Sequence, residues 1–357
     1  MTRARANFCL ATLCLLTSLG VAQDPPPAQQ PDLRTQSNAV LVPALVKDKN
    51  GAIVYGLSAQ DFIIEDDGVE QKVHMDEEPD ASPISLVVAI QLGRTGESEL
   101  PRIRTLGIML DPILSSGRNR AAIVTFDSTA ELVRNFTTNG ALIAADLQQL
   151  RPGDDGAAIL DAIRYSVAIL KNEPPDRRRV LLLVSETRDH GSRLNFVETV
   201  REITDSNTLM YTLAFSPAVS DILDTARGYK ERRMPVKQPN PTSEDIQNGL
   251  VLPDGTPRGE IGLIPLVKVA IEAMRKNTPK TIAALTGGEY ELFTSHKAFE
   301  SRMAEFSNHL RNRYLLSFEP KEPHPGLHRV TVRLRQRRDV DILARERYWV
   351  DPPTERR

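Results

Sequence analysis

Cysteine is almost missing from this chain: there are two among 357 residues, and both, Cys9 and Cys14, lie close to the N-terminus. Leu13 precedes Cys14 where a lipoprotein signal wants a small residue, which argues against a lipid anchor. Cleavage beyond that point leaves a protein with no disulfide framework, no thiol nucleophile and no cysteine-bound zinc. Aromatic residues make up 5% of the chain, with one tryptophan, and they do not interleave with the basic stretches. Single-stranded nucleic acid therefore has no stacking platform. Excess charge is lacking too: the formal net charge is −2, which gives no reason to expect nucleic acid or an anionic membrane as partner. Beyond Phe8–Val21 there is no long apolar run, and that one is too short to favour a permanent span.

What is present is the composition of an ordinary folded protein, 40% hydrophobic and 26% charged, at a length that suits about two domains. Arg3 and Arg5 precede the apolar run, and Gly20 and Ala22 stand at the small-residue positions before a cut. Residues 1–22 read as a secretory signal peptide, which implies export to the periplasm or the extracellular space. Residues 23–37, rich in proline and glutamine, read as a spacer.

Residues 38–80 form a β segment of short strands and turns. Asn50-Gly51 is a hairpin signal, since both residues tolerate the positive φ of a type I′ turn, and Asp66-Asp67-Gly68 supplies a second turn. From Pro83 strands alternate with helices. Strands are expected at 84–91, 121–127, 130–135, 179–185, 208–215 and 289–293. Helices are expected near 99–114, 139–149, 157–171, 194–205, 262–276, 279–285 and 296–311. Thr278 caps a helix with Pro279 at its first position, and Gly287-Gly288 ends it. Apolar strands joined by helical crossovers predict an α/β fold with a doubly wound, mostly parallel sheet. Residues 216–261 are far longer than a βα loop and rich in proline, glycine and charge, either an insertion without chemistry of its own or a partner-binding element. Residues 314–357 return to β character. In HRVTVRLRQ the apolar Val330, Val332 and Leu334 alternate with Arg329, Thr331, Arg333 and Arg335, a half-buried strand whose arginine face meets solvent or an acidic partner. Both β flanks are too short to bury a core alone, so residues 38–80 and 314–350 should pair into one module.

Catalytic signals are weak. His324 and His328 are separated by Pro325-Gly326, which excludes a shared helical metal face, and both read as surface residues. His190 follows Ser185-Glu186 and lies close to Asp189, but no Gly-x-Ser-x-Gly elbow accompanies a hydrolase reading. Gly93-Arg94-Thr95-Gly96 could cradle an anion, yet lacks the lysine and spacing of a P-loop.

The strand ISLVVAIQLGRTG, then RAAIVTFDSTAELVRNFT, then DDGAAILDAIRYSVAIL, then RRRVLLLVSETRDHGS together resemble a von Willebrand factor type A (VWA) domain. With DFIIEDDGVEQKV before the sheet, and LTGGEYELF and NRYLLSFEP after it, the whole resembles VWA-related secreted proteins of acidobacterial type, with the VWA-like part over residues 81–313. The resemblance implies a Rossmann-like sheet with a divalent cation at its carboxyl edge, held by an Asp-x-Ser-x-Ser motif, a threonine from a second loop and an aspartate from a third. Magnesium takes hard oxygen ligands in octahedral array. Here Gln91 stands at the aspartate, Gly93 and Thr95 at the two serines, Ala157 at the threonine and Glu186 at the third-loop acid. A methyl group cannot coordinate. The resemblance thus implies a non-catalytic, secreted protein-binding or adhesion module with a degenerate metal site, no cofactor, and Arg94, Thr95, Asp154, Asp155 and Glu186 as partner-binding candidates. Arg94 would meet a partner's carboxylate in place of the cation. The alternative is an adhesion domain whose Mg2+ or Mn2+ site is rebuilt from Thr95, Glu186 and Asp154 or Asp155. A third reading, a hydrolase, needs a nucleophile and base within hydrogen-bond reach.

Overall fold

The computed structural model describes residues 39–76, 82–194, 196–215, 277–321, 324–337 and 339–351. The signal peptide and spacer expected at 1–37, the insertion at 216–261 and the helix expected near 262–276 lie outside the described residues. No helix among the described residues is long and apolar enough to cross a membrane.

The N-terminal segment gives β1 (Val40–Asp48), β2 (Phe62–Asp66), β3 (Val69–Gln71) and β4 (His74–Met75). The turn chemistry differs from the sequence reading in one respect. After β1 the Gly51 amide donates to the Asp48 carbonyl, and Gly51 alone takes positive φ, at 82°. Asn50 stays at negative φ, so its turn is not of type I′. The pair with both central residues at positive φ is Asp67-Gly68, at 47° and 88°, between β2 and β3. A two-residue connection needs that geometry to match the twist of its strands.

The central sheet contains β5 (Ile84–Gln91), β6 (Arg120–Phe126), β7 (Ala130–Thr137), β8 (Arg178–Ser185), β9 (Leu209–Phe215) and β10 (Glu289–Phe293), in the order β10-β9-β8-β5-β6-β7. All neighbours run parallel except β6 and β7. Every residue of β5 is buried, as a strand covered on both faces must be. Its alternate side chains enter two cores. Leu86, Val88 and Ile90 meet α1 (Gly96–Ile103), α2 (Leu106–Leu114), α3 (Gly140–Gln149) and α7 (His296–Arg311). Val87 and Ala89 meet α4 (Ile159–Lys171), α5 (Phe196–Asp205) and α6 (Thr278–Thr286). Burial of each such leucine, isoleucine or valine contributes about 1.5–3 kcal/mol. The helix expected over 99–114 is two, because the Thr105 amide and hydroxyl both donate to the Arg102 carbonyl and tighten the chain into a turn. The cap of α6 is Asn277, one residue earlier than expected; its side chain accepts from the Lys280 amide, and Gly287 closes the helix at φ 77°.

The C-terminal strands β11 (Tyr314–Phe318), β12 (Gly326–Leu334), β13 (Val340–Ala344) and β14 (Arg347–Val350) return to the N-terminal ones. One four-stranded sheet runs β13-β1-β11-β4 and the other β14-β12-β2-β3. Val42 lies opposite Leu316, Val46 opposite Ile342 and Ile64 opposite Val332. Val42, Val46, Phe62, Ile64, Phe318 and Tyr348 share a single core, so the two flanks do build one β module. Arg333 on β12 and Arg335 just beyond it find their acids within the module: Arg333 pairs with Glu65 and Arg335 with Glu70.

A buried charge cluster joins module and sheet. Glu289 of β10 meets Arg313 at 2.8 Å, His309 of α7 at 2.7 Å and Lys47 of β1 at 3.4 Å. Arg313, fully buried, also donates to the Tyr211 hydroxyl at 2.7 Å and the Gly287 carbonyl at 2.6 Å. Burial works against the Glu289 carboxylate, but the His309 hydrogen bond and the charges of Arg313 and Lys47 outweigh it and hold its pKa down to about 2.

Candidate functional site

Strands β5 and β8 are neighbours, but the chain leaves β5 towards α1 and α2 on one face and leaves β8 towards α5 on the other. At such a switch point the loops part and open a crevice at the carboxyl edge of the sheet, where α/β folds bind ligands. The loop after β5, the loop before α4 and the loop after β8 meet there.

Gln91 ties the first loop to the third. Fully buried, its Nε2 donates to the Gly93 carbonyl at 3.1 Å and its Oε1 accepts from the Glu186 amide at 2.9 Å. The second loop packs onto the first at Gly93. A Cβ there would stand 2.1 Å from the Gly156 carbonyl oxygen, so no side chain fits without moving the backbone. The Arg94 amide donates to the Asp154 carbonyl at 3.1 Å, and the Gly96 amide donates to the Gly93 carbonyl at 2.9 Å. Those two amides of the expected anion cradle are already committed.

Glu186 is the centre of the cluster. Its carboxylate accepts from the Thr95 hydroxyl at 3.1 Å and lies 3.3 Å from Arg94 Nε, with His190 Nε2 at 3.9 Å. Burial pushes the Glu186 carboxyl above its ordinary range, and Arg94, Thr95 and Gln91 only partly oppose that. Arg94 is held at φ 50°, a left-handed conformation unfavourable for a residue with a Cβ. Its side chain is 36% exposed, so the guanidinium reaches from the buried acid to solvent.

The structure therefore brings Gln91, Arg94, Thr95 and Glu186 together, and places the other candidates differently. The Asp154 carboxylate accepts from the Ser128 amide at 3.0 Å and the Gly156 amide at 2.8 Å. Some burial opposes its charge, but these hydrogen bonds lower its pKa. Asp155 is exposed. Ala157 is buried and exchanges backbone hydrogen bonds with His190, at 2.9 and 2.8 Å. Ser185 is buried and donates to the Glu186 carbonyl at 2.9 Å.

Two supports escape a reading by residue type. Asp127, in the turn after β6, accepts from the Thr129 and Asp154 amides, while its carbonyl takes the Ala158 amide. Ala158 offers no cap to α4. Asp189 and Ser192 of the third loop supply one instead, accepting from the Leu160 amide at 3.0 Å each. Burial raises the pKa of Asp189. The Asp-Ser-Thr sequence at a strand end is the one local signal that could have pointed to Asp127, as an Asx turn.

Residues 98–188 match the family model of the von Willebrand factor type A domain. No curated protein matches the chain. Among solved structures it is similar to the conserved hypothetical protein BatB from Bacteroides thetaiotaomicron, at 15% identity and TM-score 0.38, over 63% of this chain and 98% of that one. It is similar to an aerotolerance-related membrane protein from Bacteroides fragilis, at 14% identity and TM-score 0.39, over the same shares. It also resembles the pilus adhesin SpaC from Lactobacillus rhamnosus GG, at 10% identity and TM-score 0.38, over 75% of this chain and 34% of that one. The match to the von Willebrand factor type A model thus takes in the second loop and the start of the third, and the first loop lies outside it.

Proposed function

We propose that the protein is an exported, non-catalytic protein-binding module of the acidobacterial secreted type, whose carboxyl-edge site works without a metal ion. The observation that carries this reading is Arg94, held at positive φ with its guanidinium against buried Glu186 and its outer side towards solvent. A guanidinium can meet a partner's carboxylate in a two-pronged, charge-assisted contact. Backbone strain at such a point is a reason to look for function there.

The donor set supports the metal-free reading. Mg2+ needs a near-octahedral array of oxygens. At the positions implied by the VWA resemblance, the chain offers only the Thr95 hydroxyl and the Glu186 carboxylate, which already bond to each other. Ala157 presents a methyl group, and Gly93 has no room for a hydroxyl-bearing side chain. The Asp154 carboxylate is held by the Ser128 and Gly156 amides. Against hydrolysis, the hydrogen bond of Ser185 goes to a backbone carbonyl rather than to a base.

The test is partner binding by the full exported chain, using a partner identified by crosslinking at a photoreactive residue placed beside Arg94. Binding should survive chelation and fall at least tenfold in Arg94→Ala. Binding abolished by chelator and restored by Mg2+ or Mn2+ would instead support the rebuilt site of Thr95, Glu186 and an aspartate.

A further inference from the structure

Far from the sheet's carboxyl edge in sequence, three side chains of the β module, Asp67, His324 and His328, bring metal-ligating atoms close together. His328 on β12 is buried and stacks on the Tyr348 ring of β14, 4.8 Å between centroids. The sequence reading set it at the surface. It lies inside because the Tyr348 ring opposite it on β14 and the Asp66-Asp67 turn after β2 pack against it. Its Nε2 is 2.6 Å from the His324 carbonyl, which only an Nε2–H can satisfy. Nδ1 is then the free ring nitrogen, with Asp67 Oδ2 2.9 Å away and Asp66 Oδ1 3.5 Å away. Neither approach has hydrogen-bond geometry: His328 Nδ1 and Asp66 Oδ1 are both buried without a hydrogen-bond partner.

The remaining atoms of each group are fixed from outside. Asp66 Oδ2 accepts from the Tyr348 hydroxyl at 2.7 Å, and Asp67 Oδ1 accepts from the Arg329 amide at 2.9 Å. The His324 ring stands 4.2 Å from that of His328, with Nε2 4.0 Å from Asp67 Oδ2. One ligating atom from each of Asp67, His324 and His328 lies within 4.8 Å of the other two.

We propose that Asp67, His324 and His328 form a three-residue site for a divalent transition metal of the zinc class, with the fourth position open. Atoms that approach closely yet do not point at one another are what a shared third atom requires. Ligands of a tetrahedral zinc at ~2.0–2.1 Å stand about 3.3 Å apart, and the separations of Asp67 from the two histidines, 2.9 and 4.0 Å, bracket that. Imidazole and carboxylate without thiolate suit zinc, and a histidine whose other nitrogen donates to a backbone carbonyl is the usual orienting arrangement. The site would tie the turn after β2 to the start of β12, the two ends of the chain. That is the task of a disulfide in a module that has no cysteine from residue 15 onward.

The test uses the full chain freed of metal, then incubated with one equivalent of Zn2+ and desalted. Elemental analysis should find one zinc per chain, and the melting temperature should rise. Asp67→Asn tolerates the positive φ and can still accept from the Arg329 amide, and His324→Ala changes an exposed side chain; both should fold and weaken zinc by at least tenfold. Glu186→Ala should retain it. Retention of no zinc, or equal retention by wild type and both module variants, would overturn the proposal and leave a protonated His328 between two carboxylates.

Discussion

Glu186 and Glu289 are both buried carboxylates at the ends of strands in one sheet, yet their surroundings drive them in opposite directions. Glu289 faces Arg313, His309 and Lys47, with Arg313 fully buried, and stays ionised down to about 2. Glu186 has one close cation, Arg94, which is partly in solvent, and burial raises its pKa. The number and burial of opposing cations decide between desolvation and Coulombic attraction. The first arrangement is a lock between module and sheet. The second keeps an acid in an unfavourable state beside an arginine that can exchange its partner, which is what a recognition surface needs.

The largest effect should come from breaking the lock. Arg313→Met leaves Glu289 buried with weaker pairing and should cost about 3–5 kcal/mol in denaturant unfolding. Adding Glu289→Leu to it should recover part of the loss. A single variant as stable as the parent would remove Glu289 from its structural role.

The lock should also appear in acid. A carboxylate whose folded pKa lies below its unfolded value of 4.5 contributes stability above that value and loses it as pH falls towards about 2. Unfolding free energy measured from pH 6 to pH 2 should therefore fall through this window, and Glu289→Gln should flatten that part of the curve. Glu186 has the opposite sign. Its raised pKa means that its contribution is present below 4.5 and lost as pH rises through its folded value. Glu186→Gln should thus be no less stable than wild type at pH 7 and remove that decline; a large loss would show that its charge holds the loops together.

The smallest effect on stability, and the largest on binding, is expected at Arg94. Arg94→Gly removes the unfavourable φ of 50° and should be more stable than Arg94→Ala by up to about 1 kcal/mol. Both should bind partner equally poorly. Retained binding in the glycine variant would assign recognition to the loop backbone instead.

Much of this was legible in the sequence because it rests on local patterns. The continuous apolar run at 84–91 reads as a strand covered on both faces, and the alternating Val330, Val332 and Leu334 as one covered on a single face. The positions Gln91, Gly93, Thr95, Ala157 and Glu186 could be aligned with the three loops from the resemblance alone. What was not legible depends on contacts between residues far apart in the chain. Gln91 reads as a missing acid, and only the fold shows that its amide bridges Gly93 and Glu186. Asp189 and Ser192 cap a helix that begins some thirty residues earlier. His328 looked exposed beside a Pro-Gly turn, and it is the packing of Tyr348 from β14 and of Asp66 and Asp67 from the other end of the chain that buries it.

The central claim, a carboxyl edge that works without a cation, is tested most directly by melting the full chain, freed of metal, with increasing Mg2+. Ligand at 100 times its dissociation constant would stabilise the folded state by about 2.7 kcal/mol. The account predicts no shift in wild type or Glu186→Ala. A rise in wild type that vanishes in Glu186→Ala would contradict it.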